Sequence, residues 1–474
     1  MTGSLIEPAE TRPSGRESPL TSLEAGVVAG DSASPSDRLS DAITIEAERQ
    51  TKRHNTGKEG SKKSRAAKRT VPSSYIVALS VLLLANLLLS FYSPIKFDAY
   101  KFPYRGWAWW AFQDLKDTTE VHNVVLLGSS LVVSAVAGVD ANFLNKSLDL
   151  SQYHKASYLD AQMRGKFGGT FNTFNLSLPG QMPSDAYLAL KAMVDTANRP
   201  DVVIYGVAPR DFFDSTMSSP ADTEPFRYLR RLVNIDDIAG GAFRTPFARL
   251  EWFLQRHIYS YGYAIDFQLA FRESAEHLIA RLLPAPYSKH PFTWWDRIKL
   301  LPGYMPGEIV PLAVSTGPID EHTARHRWTD NTIEYMERYK NPDPHTYETQ
   351  FYFLRRLAAF CRRERIELIV VNMPITDYNI RLLGADKYVS WLTKLKQVAF
   401  EQNIPLCDLY APRAYHVNDF HDSVHLNAYG GKKMFDHLLG ELAKDPRTSL
   451  ALVLAGKELQ RHQAVANRRP MPSM

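Results

Sequence analysis

Short apolar segments alternate with amphipathic helical patterns over two parts of the chain. Nearly every position is apolar in Asn123–Leu127 and Asp201–Tyr205, as is typical of strands buried on both faces of a sheet. Ser184–Ala197 and Glu348–Arg365 instead carry apolar residues at helical spacing. The alternation predicts an α/β fold class with three layers, in which helices cover both faces of a parallel sheet. Further predicted strands are Phe171–Leu176, Ile366–Val371 and Ile404–Leu409, and a further predicted helix is Val389–Glu401.

The alternation is lost between residues 215 and 345, which contain apolar clusters such as LEWFLQRHIYSYGYAIDF. This segment is too apolar for a linker, so we expect a mainly helical insertion that packs beside the sheet. Trp294 and Trp295 fall within it, and we interpret them as core residues rather than platforms for sugars. The α/β domain is predicted to span residues 121–445, and a polar tail to follow over residues 446–474.

The longest apolar stretch, Tyr75–Tyr92, carries no charged side chain and has aromatic residues at both ends. As a helix it would cover about 27 Å, enough for the hydrocarbon core of a bilayer. It lacks the polar stripe of a core helix, and it begins too far along the chain for a cleaved signal peptide. We therefore predict one uncleaved signal anchor over 74–93. An aromatic juxtamembrane segment over 94–120 is expected to lie against the bilayer surface or the base of the domain.

The formal charge of +5 is unevenly distributed. Between Arg49 and Arg69 there are nine Lys and Arg residues against one acid, Glu59. Because this basic cluster precedes the apolar stretch, the positive-inside rule predicts that residues 1–73 are a disordered cytoplasmic tail. The rest of this single-pass protein would then lie on the periplasmic or extracellular side of the inner or plasma membrane. Nucleic-acid binding is the alternative use of the cluster, but no aromatic residues are interleaved with its charges.

Two cysteines occur, Cys361 and Cys407, without the Cys/His spacing of metal sites. No P-loop, no GxGxxG after a strand and no HExxH appears in the sequence. We expect two small buried thiols, with a disulfide as the open alternative, and neither a metal nor a cofactor.

Candidate chemistry lies at the end of the first predicted strand and near the C-terminus. The run VVLLGSSLV places Ser129 and Ser130 directly after the strand, where a parallel sheet presents its functional residues. Asp422 and His425 occur together in DFHDSVHLNAYG, close enough for a local carboxylate–imidazole hydrogen bond. Acyl transfer by a serine needs a base that accepts its proton and a carboxylate that orients the base. These residues together predict a nucleophile site.

The same residues resemble sequence blocks of the SGNH/GDSL-type hydrolases and their acyltransferase relatives. The resemblance covers residues 121–214 and 348–440, and it implies a flavodoxin-like sheet. Ser130, two positions after the glycine, would be the nucleophile rather than Ser129, with His425 as general base and Asp422 as its orienting carboxylate. The matching stretches are Gly128–Leu131, Asn175–Gly180, Gly206–Asp211 and Asp422–Asn427.

The oxyanion hole is the point where the chain departs from the family pattern. The resemblance implies that the second block contributes to this hole through Gly180 and Asn175. The third block normally holds an asparagine, but Gly206–Arg210 contains none. Arg210 is the candidate replacement, and a structural ion pair with Asp211 is the alternative role of that arginine.

The resemblance extends to membrane-associated relatives that have one N-terminal anchor and an external domain of this type. It implies a serine-dependent enzyme that passes an acyl group from an acylated donor to a hydroxyl of an envelope or exported polysaccharide. It also implies a multi-pass membrane protein as the partner that delivers the acyl group. The alternatives are a carbohydrate O-acetylesterase, with water as the acceptor, and a non-catalytic binding or scaffold protein.

Overall fold

The structure is a computed structural model. It describes residues 73–92, 100, 106–196, 198–243, 245–282, 315–410 and 414–466. Several predictions fall wholly or partly outside the described residues: the cytoplasmic tail, parts of the juxtamembrane segment and of the insertion, the placement of Trp294 and Trp295, and the end of the C-terminal tail.

The strands of the described chain form two sheets. They are β1 (Val124–Gly128), β2 (Leu148–Asp149), β3 (Thr173–Asn175), β4 (Val202–Val207), β5 (Ser315–Thr316), β6 (Glu367–Asn372) and β7 (Leu406–Asp408). The central sheet is parallel throughout and has the spatial order β3-β1-β4-β6-β7. Every residue of β1 and β4 is buried, which explains why these strands lack polar alternation.

Helices occupy most of the remaining described chain. Those of the N-terminal half are α1 (Ser73–Tyr92), α2 (Trp107–Asp117), α3 (Ser130–Leu144), α4 (Ser157–Phe167), α5 (Pro183–Asp195), α6 (Arg210–Phe213), α7 (Glu224–Leu229), α8 (Ala239–Ala242), α9 (Pro246–His257), α10 (Tyr259–Gly262) and α11 (Ala264–Leu282). Those of the C-terminal half are α12 (Glu321–His326), α13 (Thr332–Tyr339), α14 (Pro344–Glu364), α15 (Asp377–Leu383), α16 (Ala385–Glu401), α17 (Ala428–Lys444) and α18 (Pro446–Ala466).

The helices pack in two groups around the central sheet. One group contains α3, α4, α17 and α18, and the other contains α5, α7 and α14. The predicted fold class, a parallel sheet between helical layers, is therefore confirmed. The insertion is also mainly helical where it is described, with α7 to α13 between residues 215 and 345. Its exception is β5, which pairs antiparallel with β2.

The juxtamembrane segment contributes a helix, α2, to the domain. Its buried side chains belong to the main hydrophobic core, and α2 packs against α7. The segment was expected to lie against the bilayer surface or against the base of the domain, and in the structure α2 packs against the domain. The α/β domain therefore begins near residue 106 rather than at 121. The buried residues of α2 are Ala108, Trp109, Ala111, Phe112 and Leu115.

The predicted boundary at residue 445 is wrong, because α18 packs against the α/β domain instead of forming a polar tail. Leu452 and Ala455 of this helix are buried in the main core. The Asn123 side-chain amide donates to the Ala455 carbonyl at 3.0 Å, and the Thr170 N–H donates to the Gly456 carbonyl at 2.9 Å. The apolar run over residues 450–455 supplies the side of the helix that packs against the domain, and most of the charged residues follow it.

The apolar helix α1 is the candidate membrane span. Residues 74–92 form a helix of 19 residues with a mean hydropathy of 2.1, long and apolar enough to cross a bilayer. Most of its large side chains are exposed, for example Leu84 and Leu88, so α1 is not a core helix of the domain. In the described part of the chain, one helix meets these criteria of length and composition.

Candidate active site

Ser130 begins α3 directly after β1, at the carboxyl edge of the sheet. Gly128 has φ +149°, and a Cβ there would lie 2.5 Å from Val132 Cγ2 and 2.8 Å from the Gly206 carbonyl oxygen. A Cβ on Gly206, which pairs with Gly128, would also lie 2.5 Å from Val132 Cγ2. The two glycines therefore let α3 approach β1 and β4 closely. Between these two strands the sheet order reverses, which is where open α/β sheets bind ligands.

His425 connects Ser130 to Asp422 by two short hydrogen bonds. Its Nε2 lies 2.8 Å from Ser130 Oγ, and its Nδ1 lies 2.6 Å from Asp422 Oδ2. The other carboxylate oxygen, Asp422 Oδ1, accepts from the backbone N–H groups of Val424 (2.8 Å) and His425 (2.7 Å). The structure thus brings together the three residues predicted as nucleophile, base and orienting carboxylate, in the order that proton transfer requires.

Asp422 is held in its ionised form. Burial of this carboxyl opposes ionisation, but the hydrogen bond and charge of His425 outweigh it and lower the Asp422 pKa. The backbone N–H groups of Val424 and His425 act in the same direction. An ionised Asp422 fixes the proton of the imidazole on Nδ1, so Nε2 is left as the acceptor for the Ser130 hydroxyl proton.

Two neighbouring groups could compete with this pair: Asp419 is engaged elsewhere, and His421 Nε2 lies 3.7 Å from Asp422 Oδ2, farther than His425 Nδ1. Asp419 accepts from Lys433 Nζ at 2.8 Å and from the His416 N–H at 2.9 Å. The His421 ring lies parallel to the His425 ring, with centroids 5.6 Å apart, and burial lowers the pKa of His421. Asp422 is therefore the carboxylate that faces His425.

His421, Asp422 and His425 also form a cluster in which one donor atom from each lies within 4.8 Å of the others. Such a set is capable of binding a metal ion in principle. However, both ring nitrogens of His425 are already engaged, Nδ1 with Asp422 at 2.6 Å and Nε2 with Ser130 Oγ at 2.8 Å, so a metal would displace one of these bonds. The arrangement of the side chains fits a hydrogen-bonded pair better than a ligand set.

Gln181, which carried no sequence signal, connects β1 by hydrogen bonds to the turn formed by Asn175–Gly180. Its Oε1 accepts from the Gly128 N–H at 2.6 Å, and its Nε2 donates to the Leu176 carbonyl at 3.1 Å. The Leu178 N–H donates in turn to the Gly128 carbonyl at 2.9 Å. Gln181 is fully buried. A glutamine one position after Leu-Pro-Gly gave no sequence signal, because its role depends on contact with a strand 53 residues away.

Asn175 and Gly180 lie at the two ends of that turn. Asn175 is buried, and its Oδ1 accepts from the Ser177 N–H at 3.2 Å, so this side chain caps the turn. Gly180 has φ +78°, a conformation that favours glycine. That Gly180 and Asn175 contribute to an oxyanion hole stays a prediction.

Arg210 is buried beside Gly180. A Cβ on Gly180 would lie 3.6 Å from Arg210 Nη2 and 3.8 Å from Nη1. Nη2 forms an ion pair with Asp214 at 2.9 Å, whereas the predicted partner Asp211 lies 3.8 Å from Nη1. Among the described residues, Nη1 has no hydrogen-bond partner. A buried guanidinium with a free donor beside the second block has the chemistry required to bind an oxyanion.

Ser129 is directed below the site rather than into it. Ser129 is only 2% exposed, and its hydroxyl hydrogen-bonds to Asp211. Burial raises the pKa of Asp211 to about 6, despite the opposing charge of Arg210. Ser130 is half-buried and its hydroxyl lies against His425, so of the two serines it has the geometry of the predicted nucleophile.

Both cysteines are free thiols, with Cys361 buried and Cys407 half-buried, and burial raises the pKa of Cys407 to about 12. They take no part in the site.

No family model and no curated protein matches the chain. Among solved structures, it is similar to a lipase/acylhydrolase from Enterococcus faecalis, with 11% identity over 68% of this chain and 96% of the other and a TM-score of 0.32. A GDSL-like lipase from Bacteroides thetaiotaomicron shows 11% identity over 71% and 98%, with a TM-score of 0.30. A protein described as an acylhydrolase, from Bacteroides fragilis, shows 12% identity over 71% and 94%, with a TM-score of 0.29. At this level of similarity, the fold class rests on the sheet and helices of this chain itself.

Proposed function

We propose that this protein is a membrane-anchored serine acyltransferase of the SGNH type that modifies hydroxyl groups of an envelope or exported polysaccharide. The observation that carries the proposal is the continuous chain of hydrogen bonds from Ser130 through His425 to Asp422, at the carboxyl edge of the sheet. This geometry supplies a nucleophile, its base and the group that orients the base.

In the proposed reaction, Ser130 Oγ attacks the carbonyl carbon of the acyl donor while its proton passes to His425 Nε2. The resulting imidazolium gives that proton to the leaving group as the donor bond breaks, which leaves an acyl ester on Ser130. A polysaccharide hydroxyl then attacks the ester, and its proton passes to Nε2. Collapse of the second tetrahedral intermediate returns this proton to Ser130 and releases the acylated sugar. Asp422 stays ionised and stabilises the imidazolium in both halves of the reaction.

An aromatic cleft whose wall includes Phe420, from the same loop as Asp422, supports a sugar as the acceptor. The cleft has a volume of about 610 Å³, and Trp328 and Tyr378, which are 44% and 38% exposed, contribute to its walls together with Arg381. Phe420 of the cleft wall precedes Asp422 by two residues, so their Cα atoms are at most about 7 Å apart. Exposed aromatic rings suit the apolar C–H face of a sugar ring, and the hydrogen-bonding groups beside them suit its hydroxyls. Water as the acceptor would make the same site an O-acetylesterase.

The membrane span supports the location that we propose. The basic cluster before α1 favours a cytoplasmic N-terminus, and the catalytic domain is proposed to lie outside the inner or plasma membrane. An acyl group made in the cytoplasm would have to cross the bilayer to reach Ser130, and a single span forms no such path. A multi-pass membrane protein is therefore part of the proposal as the delivering partner.

The direct test uses the purified full-length protein in detergent with 4-nitrophenyl acetate as donor. We expect O-acetyl groups to appear on de-O-acylated polysaccharide from the producing organism, faster than acetate is released to water. Release of acetate with no transfer would establish the esterase alternative. No reaction with the donor would favour the non-catalytic alternative, and loss of activity in a chelator would indicate that the His421 cluster holds a metal.

Arg210 has a testable part in this mechanism. If Nη1 stabilises the oxyanion, Arg210→Met should lower kcat by about 10²–10³-fold with little change in KM, because the interaction forms in the transition state. Arg338→Met is the matched control, since Arg338 also pairs with Asp214 but is not in contact with Gly180. This control should lose stability and retain kcat. Equal losses of kcat in the two variants would assign Arg210 a structural role.

A further inference from the structure

Helix α9 presents its apolar side chains away from the domain. None of its residues is buried, and Phe247, Leu250 and Phe253 are 75%, 53% and 49% exposed. Polar side chains flank this apolar face: Arg249 Nε donates to the Phe243 carbonyl at 3.0 Å, Arg256 pairs with Asp236, and the His257 ring packs on Phe253 with centroids 4.4 Å apart. A helix on a water-exposed surface has the opposite arrangement, with its apolar stripe against the core.

Helix α11 carries a second exposed apolar stripe. Phe271, Leu278 and Leu282 are 66%, 57% and 70% exposed. Their spacing of seven and four residues places them on one face of the helix. Two neighbouring segments of the insertion therefore expose large apolar side chains in succession, which is unusual for a surface in contact with water.

The short helix α10, which joins these two helices, contacts the membrane span. The Ser260 N–H donates to Asn86 Oδ1 at 3.0 Å. Asn86 is only 8% exposed, whereas Leu83 and Leu87 beside it are 50% and 49% exposed. Asn86 lies six residues before Tyr92, the end of α1 nearer the domain, and thus about 9 Å along the helix. Interfacial helices lie at a similar depth, about 5–10 Å into the boundary of headgroups and acyl chains.

We propose that α9, α10 and α11 form a membrane ledge that lies in the bilayer leaflet on the side of the α/β domain. Its ligand is the lipid at the boundary between headgroups and acyl chains. The contact between Ser260 and Asn86 joins α10, which lies between α9 and α11 in the chain, to the span, so the two attachments enter the same bilayer. The contact also satisfies a backbone N–H at a depth where water is scarce. With two attachments, the α/β domain keeps a fixed orientation against the membrane instead of rotating freely about the single span.

The proposal is tested by the depth of spin labels on the full-length protein in lipid nanodiscs. Nitroxides are attached to Leu250→Cys and Leu278→Cys, and to Val389→Cys on α16 as the control, because Val389 is 61% exposed on a helix outside the ledge. The signal of the unsubstituted chain is subtracted for the native thiols. We expect the two ledge labels to collide several-fold more with oxygen than with a water-soluble nickel chelate, and the control to show the reverse.

Two results would overturn the ledge. Labels at 250 and 278 that behave like the label at 389 would place the helices in water. Labels protected from both reagents would indicate that a protein surface, such as a second copy of the chain, covers them. Thermal melting followed by circular dichroism verifies that each variant is folded. None of these measurements depends on acyl transfer, so the ledge and the proposed activity can fail separately.

Discussion

Replacement of Ser130 by alanine should remove covalent labelling by a fluorophosphonate and lower acyl release from 4-nitrophenyl acetate by at least about 10³-fold. The reason is that Ser130 Oγ lies 2.8 Å from His425 Nε2 and is, among the described residues, the hydroxyl hydrogen-bonded to that nitrogen. The fold should survive, because Ser130 is only half-buried and alanine is well tolerated in the first turn of a helix. Intact-protein mass spectrometry after probe treatment measures the effect directly.

Ser129→Ala is the matched control for this prediction. Ser129 is adjacent, but its hydroxyl hydrogen-bonds to Asp211 beneath the site. We expect labelling of the Ser129 variant to proceed at close to the rate of the unsubstituted protein. If Ser129→Ala abolishes labelling and Ser130→Ala retains it, the assignment of the nucleophile is reversed. If both variants are labelled normally, the reaction does not take place at this turn.

The second large effect is expected for Asp422→Asn, which should lower kcat by about 10³–10⁴-fold. The asparagine amide would donate to His425 Nδ1, whereas the carboxylate accepts from it at 2.6 Å. The neutral imidazole would then carry its proton on Nε2 and be unable to accept the Ser130 proton. The backbone N–H groups of Val424 and His425 keep an oxygen acceptor in this variant, so the loop should retain its shape. Steady-state kinetics with 4-nitrophenyl acetate measures the loss.

Asp419→Asn serves as the control in the same loop. Asp419 is buried and pairs with Lys433 rather than with either histidine of the site. Its replacement should lower the melting temperature and change kcat by less than about tenfold. A kcat loss in Asp419→Asn that equals the loss in Asp422→Asn would show that general disturbance of the loop, not the tautomer of His425, explains both.

Most of the sheet could be predicted from local patterns, because buried parallel strands are short apolar runs. The predicted strand Asp201–Tyr205 corresponds to β4 (Val202–Val207), and Ile366–Val371 corresponds to β6 (Glu367–Asn372). The long helices α14 and α16 were predicted in the same way, from apolar residues that repeat every three or four positions. Helix α18 was missed as part of the domain, because its apolar run over residues 450–455 is short and lies between polar segments, and only its partners show that it is buried.

The candidate site was likewise predictable only where its contacts are local in sequence. The bond between Asp422 and His425 joins residues three positions apart, and the spacing alone indicated it. Ser130 and His425 are 295 positions apart in the chain. Only the resemblance to a known family indicated their contact, since local sequence patterns carry no information on contacts at that separation. Gln181 and the position of Arg210 beside Gly180 gave no signal in the sequence.

The sequence by itself determined the α/β class, the single long apolar stretch and the residue types that acyl transfer requires, because hydrophobic periodicity and short-range spacing are local properties. Tertiary structure decided which of the two serines faces His425. It also decided that Arg210 is buried with one donor free, that α18 belongs to the domain, and that α9 exposes its apolar side next to the span. These features depend on contacts between segments far apart in the chain, and such contacts are fixed only when the sheet and its helical layers have packed together.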